Sequence, residues 1–248
     1  TTLIRFFQQA GELFSPRDEF LAIASHDLKS PLNALHLQVQ SLIRAVRRGE
    51  SERLKPENLL PRLEQADRQI DRLVRLLATL LDVSRITAGR MDLELEDVDL
   101  AEVAREIVAR SDEQLAQARC RLELRADERV VGRWDRLRLE QVLANLLSNA
   151  IKYGAGKPIE VCVESRGDRA RVEVRDHGVG IAPEDQQRIF DRFERAGARR
   201  VGSFGLGLWI VRRIVDSMGG TVRVKSTAGE GACFVVELPL DPPRPADG

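Results

Sequence analysis

Two long segments of the sequence carry apolar side chains at alternating steps of four and three residues. The first series is Leu21, Ser25, Leu28, Leu32, Leu35, Val39, Leu42 and Val46. The second series is Leu59, Leu63, Ala66, Ile70, Leu73, Leu77, Leu80 and Ser84. This spacing places each series on one face of an α-helix. The sequence therefore predicts two long amphipathic helices, over about residues 16–48 and 57–88.

The segment between these helices can reverse the direction of the chain. Residues 48–56 are mostly polar and include Gly49 and Pro56, which interrupt helices. We therefore expect a helical hairpin. One hairpin cannot bury two continuous apolar seams by itself, whereas two hairpins can do so in a four-helix bundle. The sequence predicts a homodimer, and the alternative is that the seams pack against the rest of the same chain.

Beyond Gly89, which is expected to end the second helix, short strands and helices alternate. The predicted strands are 93–97, 121–125, 159–164, 170–175, 221–226 and 232–238. The predicted helices are 99–118, capped by Asp99, and then 135–152 and 205–218. This order of elements predicts an α/β sandwich, in which helices cover one sheet.

The length of 248 residues is sufficient for two small domains. We expect a hairpin domain at 16–88 and an α/β domain at 99–240, with residues 89–98 as a hinge between them. Residues 1–15 are expected to be the end of an upstream connector helix, and residues 241–248 a frayed tail.

The composition disfavours several classes of protein. Lys plus Arg and Asp plus Glu both number 39, so the chain lacks the basic excess that is usual in nucleic-acid binders. No apolar run approaches the roughly 18 residues that span a bilayer, and the N-terminus is not a secretory signal. The three cysteines are far apart, which indicates buried thiols in a reducing compartment. We therefore expect a cytoplasmic chain, and its start without Met suggests that it belongs to a longer protein.

A histidine near the first apolar seam is a candidate nucleophile. His26 follows the seam residue Ser25, so it lies at the edge of the seam. The neighbouring Asp27 can accept the proton from one ring nitrogen, which makes the other nitrogen a better nucleophile. Ser30 follows one turn later on the same face, and Pro31 is expected to loosen or kink the helix. The alternative is a solvated helix face that happens to contain a histidine.

Two asparagines of the predicted 135–152 helix are candidate ligands for a metal ion. Asn145 and Asn149 are four residues apart and therefore share one helix face. Amide oxygens suit a Mg²⁺ ion that also keeps waters and nucleotide phosphates as ligands. Lys152 adds a positive charge for phosphate. Polar surface residues would give the same pattern, so these residues alone are weak evidence.

Two glycine clusters point to a nucleotide site. Asp176 ends a predicted strand and could accept a hydrogen bond from an amine such as the adenine N6. Gly178 and Gly180 allow the backbone to turn and to approach a ligand closely. Residues 202–208 lead directly into a helix, where backbone N–H groups can bind phosphate. Each cluster alone could be an ordinary turn.

The segment between the glycine clusters could fold over a bound nucleotide. It contains Phe190 and Phe193 together with four arginines, namely Arg192, Arg195, Arg199 and Arg200. Charged loops bounded by glycine often close over ligands. A solvated surface loop with two core phenylalanines is the alternative.

Taken together and in this order, the motifs resemble those of the sensor histidine kinases of two-component systems. Residues 25–32 resemble the family's H-box, and residues 145–153 its N-box. The remaining matches are Asp176 to Ile181 with the first glycine box, Phe190 to Phe193 with the F-box, and Gly205-Leu206-Gly207-Leu208 with the second glycine box. The resemblance covers about residues 16–240.

The resemblance implies a role for each matched residue. His26 would accept the phosphoryl group from ATP, and Asp27 would take its proton. The nucleotide site would comprise Asn145, Asn149, Lys152, Tyr153, Asp176, Gly178, Gly180, Ile181, Phe193, Arg195, Gly205, Leu206, Gly207 and Leu208. Asn149 would hold Mg²⁺. The phosphoryl group would then pass to an aspartate in the receiver domain of a response regulator.

Three positions depart from the usual family pattern. Glu194 stands where an aromatic residue is common, and Ala232 stands where Thr or Ser is frequent in the last glycine box. Ser30 stands where Thr or Asn is usual, a residue that in the family orients the water for dephosphorylation of the regulator. Serine keeps the hydroxyl but lacks the methyl group that limits its rotamers. The hydroxyl allows phosphatase activity toward the regulator, whereas the missing methyl group disfavours it.

Two other functions are weighed against the kinase. The ATP-binding part also resembles gyrase, Hsp90 and MutL, which hydrolyse ATP to close a clamp. Those enzymes place a glutamate base where this chain has Asn145, which cannot take a proton from water. A degenerate kinase that only dimerises or captures a regulator is the second alternative, and loss of nucleotide binding would support it.

Overall fold

Two helices of 32 residues form the first part of the structure. The computed structural model describes residues 16–49, 51–87, 92–192, 194 and 205–241. Of the helical residues, the side chains of 16–27, 30, 53, 72 and 75 lie outside this description. Helix α1 spans Pro16–Arg47 and helix α2 spans Pro56–Thr87. Both helices agree with the sequence prediction within one residue at each described end.

A short connection follows α1. Gly49 adopts a φ of 63°, a left-handed conformation that favours glycine, and a 3₁₀ turn follows at Ser51–Leu54. The amide of Asn58 donates to the carbonyl oxygen of Glu52 at 2.8 Å, and Lys55 pairs with the Glu52 carboxylate at 2.6 Å. The connection is thus held by its own polar groups, as the polar composition of residues 48–56 predicts.

Pro31 does not interrupt α1. The helix continues from Pro16 to Arg47 across this residue, and Pro31 is buried. The expected loosening or kink therefore does not end the helix. The predicted end of the second helix at Gly89 lies outside the described residues.

The apolar seams are only partly covered within this chain. On α1, Leu32, Val39 and Val46 of the predicted seam are 44–62% exposed, whereas Leu28, Leu35 and Leu42 are half-buried. On α2, Leu63, Ile70 and Leu77 are likewise 46–55% exposed. The most buried residues of α2, Leu76 and Val83, lie just beside the predicted series. Alternate seam residues therefore point to solvent, so the described chain does not cover the seams by itself.

The residues from Arg85 onward form a second unit, separate from the first unit that ends at Ser84. Its main sheet has five strands in the order β2-β4-β5-β7-β6. These strands are β2 Leu122–Arg125, β4 Ile159–Arg166, β5 Arg169–Asp176, β6 Thr221–Thr227 and β7 Gly231–Pro239. The β2–β4 pair is parallel and the other pairs are antiparallel.

Helices cover one face of this sheet. They are α3 Leu100–Arg110, α5 Arg136–Tyr153 and α6 Gly207–Ser217, and the short helix α4 Asp112–Ala118 packs against α3 and α5. Val161 of β4 and Val174 of β5 lie against α3 and α5, around a small apolar gap that Ile107 and Leu143 also line. The expected α/β sandwich is confirmed.

Three local features differ from the sequence prediction, and the first is the strand expected at 93–97, which lies at Glu96–Asp99. The predicted helix 99–118 is broken at Ser111, whose hydroxyl donates to the Ile107 carbonyl oxygen at 2.8 Å and competes with helix continuation. Strand β3, Val131–Trp134, was not expected from the sequence, and it pairs antiparallel with β1, Glu96–Asp99. The indole N–H of Trp134 donates to the Pro239 carbonyl oxygen at 2.8 Å, a long-range contact that no local pattern contains.

All three cysteines are free thiols. Cys120 and Cys233 are buried as expected, whereas Cys162 is half-buried. Burial raises the pKa of both Cys162 and Cys233, which keeps these thiols protonated near neutral pH.

Asp99 caps α3 and also anchors the chain before β3. Its carboxylate accepts from the backbone N–H groups of Ala101 and Val130, both at 3.1 Å, and from the Arg129 guanidinium. Burial tends to raise the pKa of Asp99, but these hydrogen bonds outweigh burial and lower the pKa below its usual 3.8. The cap predicted at Asp99 is confirmed.

We predict that Asp99→Ala lowers the free energy of unfolding of the second unit by about 1–2 kcal/mol at pH 7. Because the folded-state pKa is lowered, this stabilisation is present above pH 3.8 and is lost as the pH falls through the folded-state value. Urea unfolding followed by tryptophan fluorescence reports on this unit, since both tryptophans, Trp134 and Trp209, lie in it. The exposed Asp127→Ala is the control, and an equal loss in both variants would contradict the assignment.

Candidate functional site

A buried carboxylate lies at the end of the central strand β5. Asp176 is 5% exposed, and its backbone pairs with Ile159 of β4 on one side and Ala232 of β7 on the other. The backbone N–H of Gly178 donates to Oδ1 of Asp176 at 2.8 Å, and the backbone of Ala232 also forms a hydrogen bond with this carboxyl. Burial raises the pKa of Asp176, and these bonds offset the increase only in part.

The turn that follows Asp176 is pressed against two neighbouring backbones. A β-carbon at Gly178 would overlap the carbonyl group of Tyr153, and one at Gly180 would overlap that of Thr227. Gly180 also has a φ of 66°, which disfavours other residues. The backbone N–H of Val179 donates to the Tyr153 carbonyl oxygen at 3.3 Å. The turn therefore requires glycine at both predicted positions.

Helix α5 brings its C-terminal half to this turn. The side-chain amide of Asn145 donates to the Gln141 carbonyl oxygen at 3.0 Å. Its other amide atom, Oδ1, lies beside the start of α6, because a β-carbon at Gly207 would be only 3.2 Å away. Asn149 is half-buried on the same face of α5. The two amides predicted as metal ligands thus share a face that reaches the second glycine cluster.

The last turn of α5 carries an exposed cation and an aromatic ring. The ammonium nitrogen of Lys152 lies 4.8 Å from the ring centroid of Tyr153. Tyr153 is 40% exposed, and its carbonyl oxygen accepts from the glycine turn. The end of α5 therefore places a charge and an aromatic ring on the helix turn whose backbone contacts the glycine turn.

Helix α6 begins at the second glycine cluster. Gly205 has a φ of 66°, Leu206 is buried, and Leu208 is half-buried in the first turn. Leu206 is the N-cap residue of α6, and its side chain forms no hydrogen bond with the backbone N–H groups of the first turn. The guanidinium groups of Arg192 and Arg213 lie 5.7 and 5.6 Å from the Trp209 ring centroid, which fixes the residues around this helix start.

Several predicted site residues cannot be placed by their side chains. The backbones of His26, Asp27 and Ser30 belong to α1, and their side chains lie outside the described part of the structure. Phe193 and Arg195 also lie outside it. Phe190, which precedes them, is buried and packs edge-on against Phe234, with ring centroids 6.3 Å apart.

Two polar residues that the sequence prediction missed close the glycine turn. The hydroxyl of Ser226 accepts from the backbone N–H of Ile181 at 2.8 Å, and the amide of Gln186 donates to the Ile181 carbonyl oxygen at 3.1 Å. Ser226 follows Val222 and Val224 on the helix-covered face of β6, so a polar residue at the end of an apolar alternation is the signal that could have identified it.

Within the described ranges, no group of three His, Cys, Asp or Glu side chains could hold a metal ion. None of the described helices is both long enough and apolar enough to cross a membrane.

Comparison with known proteins assigns both units to one family. Residues 16–89 match the family model described as the His Kinase A (phospho-acceptor) domain. Residues 134–242 match the model described as histidine kinase-, DNA gyrase B- and HSP90-like ATPase. The second model is shared with clamp ATPases, but the first is a histidine kinase domain. This chain belongs to the sensor histidine kinases of two-component systems.

Individual relatives agree with this membership. The chain is 35% identical over 231 residues to the sensor-like histidine kinase SenX3 of Mycobacterium tuberculosis. That match covers 90% of this chain and 54% of SenX3, so the chain spans about half the length of this relative.

Solved histidine kinases share the fold. The catalytic domain of ThkA is 30% identical with a TM-score of 0.55, and the match covers 60% of this chain and 97% of that domain. Full-length ShkA, solved in complex with AMPPNP, is 28% identical with a TM-score of 0.66. The match covers 91% of this chain and 46% of ShkA.

We predict that the stability of Asp176→Asn relative to the wild type is greater at pH 7 than near pH 3.5. Because burial raises the folded-state pKa of Asp176, the wild-type protein loses stability as the pH rises above 3.8, and asparagine removes this dependence. Urea unfolding between pH 3.5 and 7 measures the difference. The exposed Asp168→Asn controls for the loss of one charge. A difference between Asp176→Asn and the wild type that shrinks with rising pH would contradict the sign of the shift.

Proposed function

We propose that this kinase core binds Mg·ATP in its second unit, phosphorylates His26 and passes the phosphoryl group to an aspartate of a response regulator. The observation that carries the proposal is the buried Asp176 beside a turn whose backbone admits only glycine. The His Kinase A match over the segment that contains His26 supports the acceptor. The ShkA complex with AMPPNP supports a nucleotide in the second unit.

The second unit supplies the groups that an adenine nucleotide needs. Asp176 would accept a hydrogen bond from the adenine amine, and the Gly178–Ile181 turn leaves room for the ring. Tyr153 would line the ring, and Lys152 would bind phosphate. The backbone N–H groups from Gly205 to Leu208 would also bind phosphate, because a helix start is favourable for anions. Phe193 and Arg195 keep their predicted nucleotide roles.

The asparagine amides fit a magnesium ion. Oδ1 of Asn145 lies beside Gly207, and neutral amide oxygens suit a Mg²⁺ ion that keeps phosphate and water ligands. Asn149 would hold the ion, with Asn145 nearby. The ion would supply positive charge for the phosphates. Since Asn145 cannot deprotonate water, the site favours transfer to a protein nucleophile over hydrolysis.

His26 would attack the γ-phosphorus in line with the leaving ADP. The bond from the imidazole nitrogen to phosphorus forms while the bond to the β–γ bridging oxygen breaks. Asp27 would accept the proton from the imidazole ring. The phosphoryl group then moves from His26 to a carboxylate of the regulator. Ser30 has the hydroxyl that could orient a water for dephosphorylation of that regulator.

The first unit is proposed to dimerise through its exposed seam. Six seam residues, three on each helix, are 44–62% exposed, and a second hairpin would bury them in a four-helix bundle. Residues 89–98 are proposed as the hinge. The backbone N–H of Glu94 already bonds to Asp135 at 3.1 Å, so the bending would lie before Glu94. Both ATP and the regulator are expected in the cytoplasm.

We predict that wild-type protein, incubated with Mg²⁺ and γ-labelled ATP, acquires label that is acid-labile and alkali-stable. Phosphohistidine has this signature, because its N–P bond is hydrolysed in acid. His26→Gln is expected to abolish the label, and His36→Gln, on the same helix, is the matched control that should retain it. Labelling that survives in His26→Gln would overturn the proposed acceptor.

The same assay separates the alternative functions. Binding of ATP without label would favour a degenerate module. Phosphate release that continues in His26→Gln would instead favour a clamp-type ATPase.

We predict that the wild-type chain sediments as a dimer of 27.8 kDa subunits. The double substitution Ile70→Glu and Leu77→Glu places charge in the exposed seam and should shift the protein to monomer. Gln65→Glu, at an exposed polar position of α2, controls for added charge. Sedimentation velocity measures the mass, and a wild-type monomer at micromolar concentration would contradict the proposed bundle.

A further inference from the structure

A chain of hydrogen bonds runs from the end of the glycine turn back to Asp176. The backbone N–H of Ile181 donates to Oγ of Ser226 at 2.8 Å, and the same hydroxyl donates to the carbonyl oxygen of Gly231 at 2.6 Å. Gly231 and Ala232 share one peptide group, whose N–H forms the hydrogen bond with the Asp176 carboxyl. In this series of hydrogen bonds, each donor points toward the Asp176 carboxylate.

Gln186 fixes the same turn from its other side. Its side-chain amide donates to the carbonyl oxygen of Ile181 at 3.1 Å and to that of Ser226 at 2.8 Å. Both amide hydrogens are therefore used. The backbone N–H and C=O of Ile181 are both held by side chains that lie elsewhere in the sequence.

The backbone of the β6–β7 connection also contacts the glycine turn directly. The N–H of Gly229 donates to the Val179 carbonyl oxygen at 2.8 Å, so the β6–β7 connection touches the turn at a second point. A β-carbon at Gly231 would overlap the Asp176 carbonyl oxygen. A displacement of the turn would therefore disturb Asp176 through the Gly231–Ala232 peptide.

We propose that Ser226 is a positioning residue for the nucleotide site, with Gln186 as its support. Ser226 links the two ends of the Asp176–Ile181 turn, and it orients the peptide that donates to Asp176. Aligned hydrogen bonds polarise one another, so the chain strengthens the donation to the carboxylate. The role of Ser226 rests on the proposed nucleotide function, because its effect is exerted through Asp176 and the turn.

The test is the affinity for Mg·ADP, measured by isothermal titration calorimetry on the full chain. Ser226→Ala leaves the Ile181 N–H and the Gly231 carbonyl without their partner, and we expect about tenfold weaker binding. Ser226→Thr keeps the hydroxyl on a β-strand and should restore the affinity. Ser217→Ala is the matched control, because its hydroxyl donates to the Ile214 carbonyl oxygen at 2.7 Å, outside this chain of bonds.

Kinetics separate a positioning role from a general loss of stability. In autophosphorylation, Ser226→Ala should raise the KM for ATP about tenfold and change kcat less than about twofold. The reason is that the hydrogen bonds of Ser226 affect nucleotide binding rather than the transfer step. If Ser226→Ala folds poorly by tryptophan fluorescence, Gln186→Leu provides the second variant. We expect it to weaken Mg·ADP binding about threefold.

Several outcomes would overturn the assignment. Unchanged Mg·ADP affinity in both Ser226→Ala and Gln186→Leu would do so. An equal loss in Ser217→Ala, or no recovery in Ser226→Thr, would also exclude a positioning role. If the wild-type protein fails to bind Mg·ADP, the proposed function itself fails. If the wild type binds Mg·ADP and both variants bind it with the same affinity, only the role of Ser226 is refuted.

Discussion

The burial of one carboxylate constrains most of the second unit. A buried charge must receive hydrogen bonds, and Asp176 receives them from the backbones of Gly178 and Ala232. These donors come from two connections that are distant in sequence. Both connections must approach the end of β5 so closely that Gly178 and Gly231 have no room for a side chain. The sheet order, with β5 between β4 and β7, brings these connections together.

The two units bury their apolar surfaces to different extents. The second unit buries the apolar face of its sheet under α3, α5 and α6. The first unit leaves Leu32, Val39 and other seam residues exposed. This contrast agrees with a nucleotide-binding unit that folds around its own core and a helical unit that gains stability by association. It also explains why stability and self-association can be measured separately.

Periodicity and glycine spacing carried most of the prediction from sequence. The helices α1 and α2 followed from a repeat that extends over more than 25 residues, and the glycines of the turn followed from their spacing after Asp176. Strand β3 could not be predicted, because it depends on distant contacts such as Trp134 with Pro239. The break at Ser111 was missed because it depends on the hydrogen bond from the Ser111 hydroxyl to the Ile107 carbonyl oxygen.

Ser226 lies 45 residues from Ile181 and 40 residues from Gln186, so the contacts among these three residues depend on the tertiary fold. The seam series does not show which residues the chain itself covers, because that depends on how the helices pack. The most buried residues of α2, Leu76 and Val83, lie beside the predicted series.

The Asp176–Ile181 turn, which would form the floor of the proposed nucleotide site, is held by hydrogen bonds within the chain and should be formed before any nucleotide binds. Amide hydrogen exchange of the nucleotide-free protein, followed by NMR, measures whether this turn is formed. We expect strong protection of the Gly178, Ile181 and Gly229 amides, because they donate to Asp176, Ser226 and Val179 respectively. If these amides exchange as fast as those of the exposed Gly167–Asp168 turn, the Asp176–Ile181 turn is not formed without nucleotide.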